Sequence, residues 1–138
     1  MHCLDANIWI YYLDAELAEH EMVRDPISSL LADEPLFMTT VLQMEVVHYL
    51  RKQLAESQTA IDRFLNIEDT KVTDLTEKDV AVAADLLDTH SDTGIGGRDA
   101  TVVAAMDRHG ICKLWTHDTG LKRLGDQVDW LTVSDPVE

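Results

Sequence analysis

The sequence predicts an α/β domain in which helices flank a parallel β-sheet. Short apolar runs of strand length alternate with longer segments that carry the periodicity of helices. Strands separated by helices pair in parallel through right-handed crossovers, which produces three layers. The chain has 138 residues, a length that suits one core. We therefore expect one three-layer domain over residues 1–138, with a sheet of about four to five strands.

The first half of the chain predicts two strands and four helices. The long helix is the best defined, because Val41, Met44, Val47 and Leu50 recur at helical spacing. In order, the elements are a strand at Met1–Leu4, a helix from about Asn7, a helix at Asp25–Ala32, a strand at Pro35–Met38, and helices at Val41–Leu54 and Gln58–Leu65.

The second half predicts three strands and three helices. Thr76 is a suitable N-cap for one helix, and Gly110 is a stop signal for the next. In order, the elements are a strand at Lys71–Thr73, a helix at Glu77–Thr89, a glycine-rich loop at Ser91–Gly97, a helix at Arg98–His109, a strand at Ile111–Trp115, a short helix near Leu121, and a last strand at Trp130–Val133.

The charge balance is strongly acidic, with 26 acidic residues against 11 basic ones and a net charge of −15. A nucleic-acid binder is normally basic, but bound divalent metals can supply positive charge locally. The acids are spread over the whole chain, as in proteins of salt-loving organisms, where molar salt screens charges within about 3 Å. We read the acidity as a halophilic trait.

No apolar run approaches the roughly 20 residues of a membrane span, and no hydrophobic leader is recognisable, so we expect a cytoplasmic protein. Cys3 and Cys112 are too few for a disulfide framework or a four-cysteine zinc site. Because both lie in short apolar runs, they are expected to be buried free thiols.

Four acidic residues from distant parts of the sequence are placed to meet at one edge of the sheet. Asp5 ends the first strand, Asp118 follows the fourth, and Glu45 and Asp99 lie near the starts of two helices. Two carboxylates 4 Å apart repel by about 4 kcal/mol at an effective dielectric of about 20. Such a cluster needs protons or a hard cation. The spacing alone leaves a metal site and a solvated acidic surface both open.

Three segments carry a resemblance to PIN-domain ribonucleases. "LDANIWIYYL" (Leu4–Leu13) resembles the opening of these domains, and "TTVLQMEVVHYL" (Thr39–Leu50) is similar to their second block. "GGRDATVVAAMDRHGICKLWTHDTGLKRL" (Gly96–Leu124) resembles their third and fourth blocks run together. The blocks stand in the family's order over nearly the whole chain, and the single-domain length is similar to VapC-type toxins of toxin–antitoxin pairs.

The resemblance implies an endoribonuclease that uses Mg²⁺ or Mn²⁺. Its catalytic and metal-binding residues would be the acidic quartet Asp5, Glu45, Asp99 and Asp118. Asn7 and Thr116 match positions that support the site through hydrogen bonds. An activated water would attack the phosphodiester and leave 5′-phosphate and 3′-hydroxyl ends.

The resemblance also implies partners: an RNA substrate, an antitoxin whose tail covers the active-site groove, and a second copy of the chain. The apolar, aromatic first helix (Ile8–Leu13) is our predicted contributor to the homodimer.

Several basic residues are candidates for RNA contact. Arg98 adjoins Asp99 and would reach the scissile phosphate. Two small basic spots, Arg51 with Lys52 and Lys122 with Arg123, lie near the predicted edge. For each, the alternative is an ordinary solvated or ion-paired surface.

The alternative functions are two other classes of parallel-sheet protein and two other roles of the same fold. A phosphoryl-accepting receiver domain needs an early acidic pair and a lysine at the end of a late strand, whereas Lys113 lies in mid-strand. A haloacid-dehalogenase-type phosphatase needs Asp-x-Asp where this chain has Asp5-Ala6-Asn7. A non-enzymatic binding module of the same fold and an RNA-processing nuclease without a toxin role both stay open.

Overall fold

The computed structural model describes residues 1–138 and contains five strands in one sheet. The strands are β1 (His2–Leu4), β2 (Leu36–Thr39), β3 (Thr70–Thr73), β4 (Lys113–Trp115) and β5 (Thr132–Ser134). Their order across the sheet is β3-β2-β1-β4-β5, and every neighbouring pair is parallel. This confirms the predicted three-layer α/β domain and places β1 at its centre.

Seven α-helices flank the sheet. They are α1 (Ala6–Leu13), α2 (His20–Asp33), α3 (Thr40–Gln53), α4 (Ser57–Leu65), α5 (Glu77–Thr89), α6 (Gly97–His109) and α7 (Thr119–Gln127), and a short 3-10 helix at Ser91–Thr93 precedes α6. None of them combines the length and the apolar character that a membrane span requires. Most bounds lie within two residues of the prediction.

The start of α2 was predicted wrongly. The helix begins at His20 and runs through Pro26, whereas the predicted helix begins at Asp25. Proline in a helix interior removes one backbone hydrogen bond. Val23, Ile27 and Leu30 nevertheless form one buried stripe along α2, two of them fully buried. Burial of this stripe outweighs the missing bond, since each such side chain contributes about 1.5–3 kcal/mol.

The buried face of α3 also differs from the prediction. Leu42, Val46 and Leu50 face the core, while Met44 is 60% exposed. The sequence carries apolar residues at helical spacing on two sides of this helix. Because β2 ends at Thr39 and α3 begins at the next residue, the strand sets the rotation of the helix and selects the face.

The core contains 29 buried apolar residues, and the aromatic first helix belongs to it. Ile8 and Trp9 are fully buried, and the Trp9 ring packs edge-on against Phe64 with centroids 5.3 Å apart. These two side chains are therefore not available to a second protomer. Cys3 is buried as predicted. Cys112, just before β4, is exposed, and the prediction of a buried thiol is therefore wrong for this residue.

An ion pair between a buried carboxylate and a partly exposed guanidinium joins α5 to α6. Asp79 has a side chain only 2% exposed and accepts two hydrogen bonds from Arg108, at 2.8 and 2.9 Å. It also completes a capping box with Thr76 at the start of α5. The bonds from Arg108, the largest influence, outweigh burial and hold the pKa of Asp79 below its ordinary value.

Replacing Asp79 should therefore destabilise the domain in a pH-dependent way. Asp79→Asn keeps the shape of the side chain and removes its charge, so we expect the free energy of unfolding at pH 7 to fall by about 1–3 kcal/mol. A lowered pKa in the folded state means that this stabilisation is complete above the ordinary aspartate pKa and is lost as the pH falls through the lowered value.

Urea unfolding followed by circular dichroism at several pH values tests this. The wild type and Asp79→Asn should converge in acid, and the exposed Asp85, changed to Asn on the same helix, is the control. Equal stability of Asp79→Asn and Asp85→Asn at pH 7 would contradict the role of the ion pair.

Candidate metal centre

The candidate site lies where the strand order changes direction. The chain passes from β1 outward to β3 and then returns to β4 on the other side of β1. In open parallel sheets, ligands bind at such a switch point, beyond the carboxyl ends of the strands. A cleft of about 400 Å³ opens here, lined by Asp5, Ala6, Asn7, Ile10, Glu45, Gly96, Gly97, Arg98, Asp99 and Asp118. The structure thus brings all four predicted acids to one cleft.

A threonine hydroxyl links the acids that follow the two central strands. Thr116, fully buried, donates from Oγ1 to Oδ2 of Asp5 at 2.7 Å and accepts from the backbone N–H of Asp118 at 3.0 Å. The second oxygen of Asp5 accepts from the N–H of Ala6 at 2.8 Å and caps α1. The predicted supporting role of Thr116 therefore has a definite geometry.

Asp118 and Asn7 complete this side of the cleft. The Asp118 carboxylate accepts from the N–H of Leu121 at 2.9 Å and so caps α7. Asn7 accepts a long 3.5 Å bond from the backbone of His117 through its side-chain oxygen. Leu121, in the first turn of α7, is buried and packs in the core.

Glu45 and Asp99 come from two other helices. Glu45 lies in the second turn of α3, and Asp99 in the first turn of α6. Arg98 forms an ion pair with Glu45 at 3.5 Å, although its own side chain is 75% exposed. Arg98 is the only cationic side chain among the residues that line the cleft.

The electrostatics of the cleft favour a bound cation. Burial is the largest cause that raises the pKa of Asp5, and bonds from Thr116 and Ala6 oppose it. Burial, followed by the charges of Asp5, Asp118 and Glu45, raises the pKa of Asp99 to about 7 despite the nearby Arg98. Burial also raises the pKa of Glu45. A set of carboxylate oxygens under mutual repulsion suits a hard divalent ion such as Mg²⁺ or Mn²⁺.

The other predicted RNA-binding residues lie outside the cleft lining. Arg51 donates to Ser57 at 3.2 Å and to Gln58 at 2.9 Å, which ties α3 to α4. Lys52 is exposed next to Arg51. Lys122 forms ion pairs with Asp135 and Glu138 near the end of the chain. Of the four substrate-binding candidates, the structure brings only Arg98 to the acids.

The fold and the cleft define an α/β domain with a carboxylate centre at its switch point. A family model for the PIN domain matches residues 2–127, and the chain belongs to this family. The match excludes the receiver-domain and dehalogenase alternatives. A comparison with curated proteins found no match.

Solved structures agree with the VapC-type fold. VapC20 of Mycobacterium tuberculosis, described as a sarcin-ricin loop cleaving toxin, has a TM-score of 0.78 at 17% identity, over 91% of this chain and 95% of that one. VapBC2 of Rickettsia felis, bound to a promoter DNA fragment, has a TM-score of 0.70 at 15% identity, over 97% of both chains. A toxin–antitoxin complex from Klebsiella pneumoniae has a TM-score of 0.67 at 17% identity, over 99% of this chain and 98% of that one.

Neutralising one acid should stabilise the cation-free protein and reduce the stability that it gains from a bound cation. Without added metal, Asp99→Asn should stabilise the protein at pH 8 by roughly 1–2 kcal/mol, since it removes a repelled and partly screened charge. Mg²⁺ at about 100 times its dissociation constant should stabilise the wild type by about 2.7 kcal/mol, and the variant by much less.

Thermal unfolding at fixed ionic strength measures both effects, at about 2–4 °C per kcal/mol. Asp62→Asn is the control, because Asp62 is an exposed acid on α4 that does not line the cleft. If Asp62→Asn altered the response to Mg²⁺ as much as Asp99→Asn did, the cation effect would be general screening rather than a site.

Proposed function

We propose that this protein is an Mg²⁺- or Mn²⁺-dependent endoribonuclease and the toxin of a VapC-type toxin–antitoxin pair. One observation carries the proposal: four carboxylates from four separate elements line a single cleft in which Arg98 alone opposes their charge. The four carboxylates repel one another, and a bound cation would remove this repulsion. Membership of the PIN family supports nuclease chemistry for that cation.

The proposed role of each residue follows from its position in the cleft. Asp5 and Asp99, whose pKa values are raised by burial and by the neighbouring acids, would hold the ion, and Asp118 would complete the set directly or through water. A divalent ion bound there supplies charge neutralisation and lowers the pKa of a coordinated water. Glu45, at the cleft wall, would orient the attacking water through a hydrogen bond. Arg98 is exposed enough to leave Glu45 and contact the scissile phosphate.

RNA is the proposed substrate, and an antitoxin is the proposed regulator. The similar VapC20 is described as cleaving the sarcin-ricin loop, and other similar structures are complexes of VapBC type. The acidic, open cleft favours an antitoxin tail with basic side chains, because their opposite charge would neutralise the carboxylates. A short neighbouring gene for a DNA-binding antitoxin would separate a toxin from an RNA-processing nuclease.

The activity test uses purified protein and a structured RNA in high KCl. We expect cleavage with Mg²⁺ or Mn²⁺, none with EDTA, and products with 5′-phosphate ends. Asp5→Asn and Asp99→Asn should each lower the rate at least about 100-fold, as loss of a charge-stabilising group typically does.

Asp62→Asn should cleave like the wild type, and single-stranded DNA of the same sequence should remain uncut. Wild-type rates in both Asp5→Asn and Asp99→Asn would rule out this site. Metal binding without cleavage of any RNA would favour the non-enzymatic binding module.

A second copy of the chain is the other proposed partner. Two neighbouring apolar grooves form one exposed face, lined by Val41, Leu75, Val80, Ala83, Ala84, Leu87, Gly97, Arg98 and Thr101 in the first and Met44, Val47, His48, Arg51 and Lys52 in the second. Val41 and Met44 are one turn apart on α3 and connect the grooves. No carboxylate is among the lining residues, although the chain carries a net charge of −15. Contact between two such acidic copies costs least electrostatic free energy where acids are absent.

Charge placed on this face should disrupt the dimer. Val80→Glu and Met44→Glu, at side chains 50% and 60% exposed, should shift sedimentation in molar KCl from about twice 15.5 kDa to a monomer. Met22→Glu on α2, at a side chain 54% exposed, is the matched control and should stay dimeric. A wild type that is monomeric at every concentration would contradict the homodimer.

A further inference from the structure

The segment after β5 carries an acid that the sequence does not single out and whose side chain is largely covered. The Asp135 side chain is only 8% exposed. Its Oδ2 lies 2.7 Å from Nδ1 of His117 and forms an ion pair with Nζ of Lys122. Its Oδ1 accepts from the N–H of Val137 at 2.9 Å. Both carboxylate oxygens are therefore engaged with protein groups.

The two side chains that Asp135 holds lie on either side of Asp118. His117 is the residue before Asp118, and its ring packs edge-on against Tyr11 of α1 with centroids 6.1 Å apart. Lys122 lies one helical turn after Asp118, and its backbone N–H donates to the Asp118 carbonyl at 3.1 Å. One carboxylate thus ties down both ends of the short segment that presents Asp118 to the cleft.

The opposite side of this segment is closed by backbone. A Cβ added at Gly120 would lie 3.1 Å from Oδ2 of Asp118 and 3.2 Å from both the Ile95 nitrogen and the Thr93 oxygen. The start of α7 is therefore pressed against the loop before α6. On this side the close backbone contacts leave the Asp118 segment little room to move, and Asp135 contacts the residues at its two ends.

We propose that Asp135 is a positioning residue, which holds the Asp118 carboxylate in its cation-binding place by clamping His117 and Lys122. The proposal deepens the function proposed above, on which its consequence for cation binding rests. Asp135 lies beyond residues 2–127, the part matched by the family model, so membership of the family does not assign it this role.

The charge state of Asp135 suits this task. Burial, the largest influence, acts to raise its pKa, but hydrogen bonds from Lys122, His117 and the Val137 backbone lower it below the ordinary value. The carboxylate is consequently ionised when Lys122 is charged. Asn at this position would keep the shape and lose the attraction for Lys122.

The test compares Asp135→Asn with Glu138→Gln. Glu138 is a matched control because it also pairs with Lys122, at 3.0 Å, but is 69% exposed and is not bonded to His117. Amide hydrogen exchange, read by NMR in EDTA, reports the clamp without any metal or RNA. The amides of Asp118 and Leu121 donate to Thr116 and Asp118, and they should exchange about 10-fold faster in Asp135→Asn, with core amides such as that of Val46 unchanged.

Cation affinity is the second measurement. The dissociation constant for Mn²⁺, from titration calorimetry, should rise about 10-fold or more in Asp135→Asn and stay within about 2-fold in Glu138→Gln. If Asp135→Asn does not fold, Lys122→Met releases one end of the clamp and should accelerate exchange at Leu121.

The outcomes are distinguishable. Unchanged exchange at Asp118 and Leu121, or equal acceleration at Val46, would overturn the clamp, because Asp135 would then be irrelevant or only generally stabilising. Normal Mn²⁺ affinity in Asp135→Asn would overturn its positioning role. Faster exchange in the variant together with no Mn²⁺ binding by the wild type would support the clamp and refute the proposed function.

Discussion

Repulsion among the four carboxylates of the cleft is the constraint that the local architecture has to satisfy. The chain meets it in part by placing three of the four acids at the start of a helix. Asp5 and Asp118 are the N-caps of α1 and α7, Asp99 lies in the first turn of α6, and Glu45 in the second turn of α3. Helix N-termini present free N–H groups and partial positive charge. A cap contributes about 1 kcal/mol, so the groups suited to bind a cation also stabilise the helices that carry them.

The remaining repulsion is offset elsewhere in the domain. The core of 29 apolar residues includes residues of β1, and the Asp79–Arg108 ion pair links α5 to α6. Asp79 and Asp99 differ in the charges around them. Asp79 has a guanidinium partner and a lowered pKa, whereas Asp99 has mostly acids around it and a pKa near 7. Buried charge is paired where it serves stability and left unpaired where a ligand is expected.

The sequence predictions succeeded where a residue's role follows from its local context. Asp5 and Asp118 could be placed because acids that follow parallel strands meet at one edge of the sheet. The same rule could have indicated Asp135, which follows β5, had that strand been extended past Val133. Predictions failed where packing against the rest of the domain decides. The core carried α2 through Pro26, and the attachment of α3 to β2 selected the buried face of α3.

The sequence by itself determined the alternation of strands and helices, the parallel sheet and the four acids at its edge, because hydrophobic period and strand-end position are local properties. Only the tertiary structure decided the state of each acid and the surfaces left for partners. It buried Trp9 inside the domain, exposed Met44, and closed the Asp118 segment with a residue seventeen positions further along. These features depend on contacts between residues far apart in the chain. The distances and the burial that set each acid's pKa are fixed only once the chain is folded.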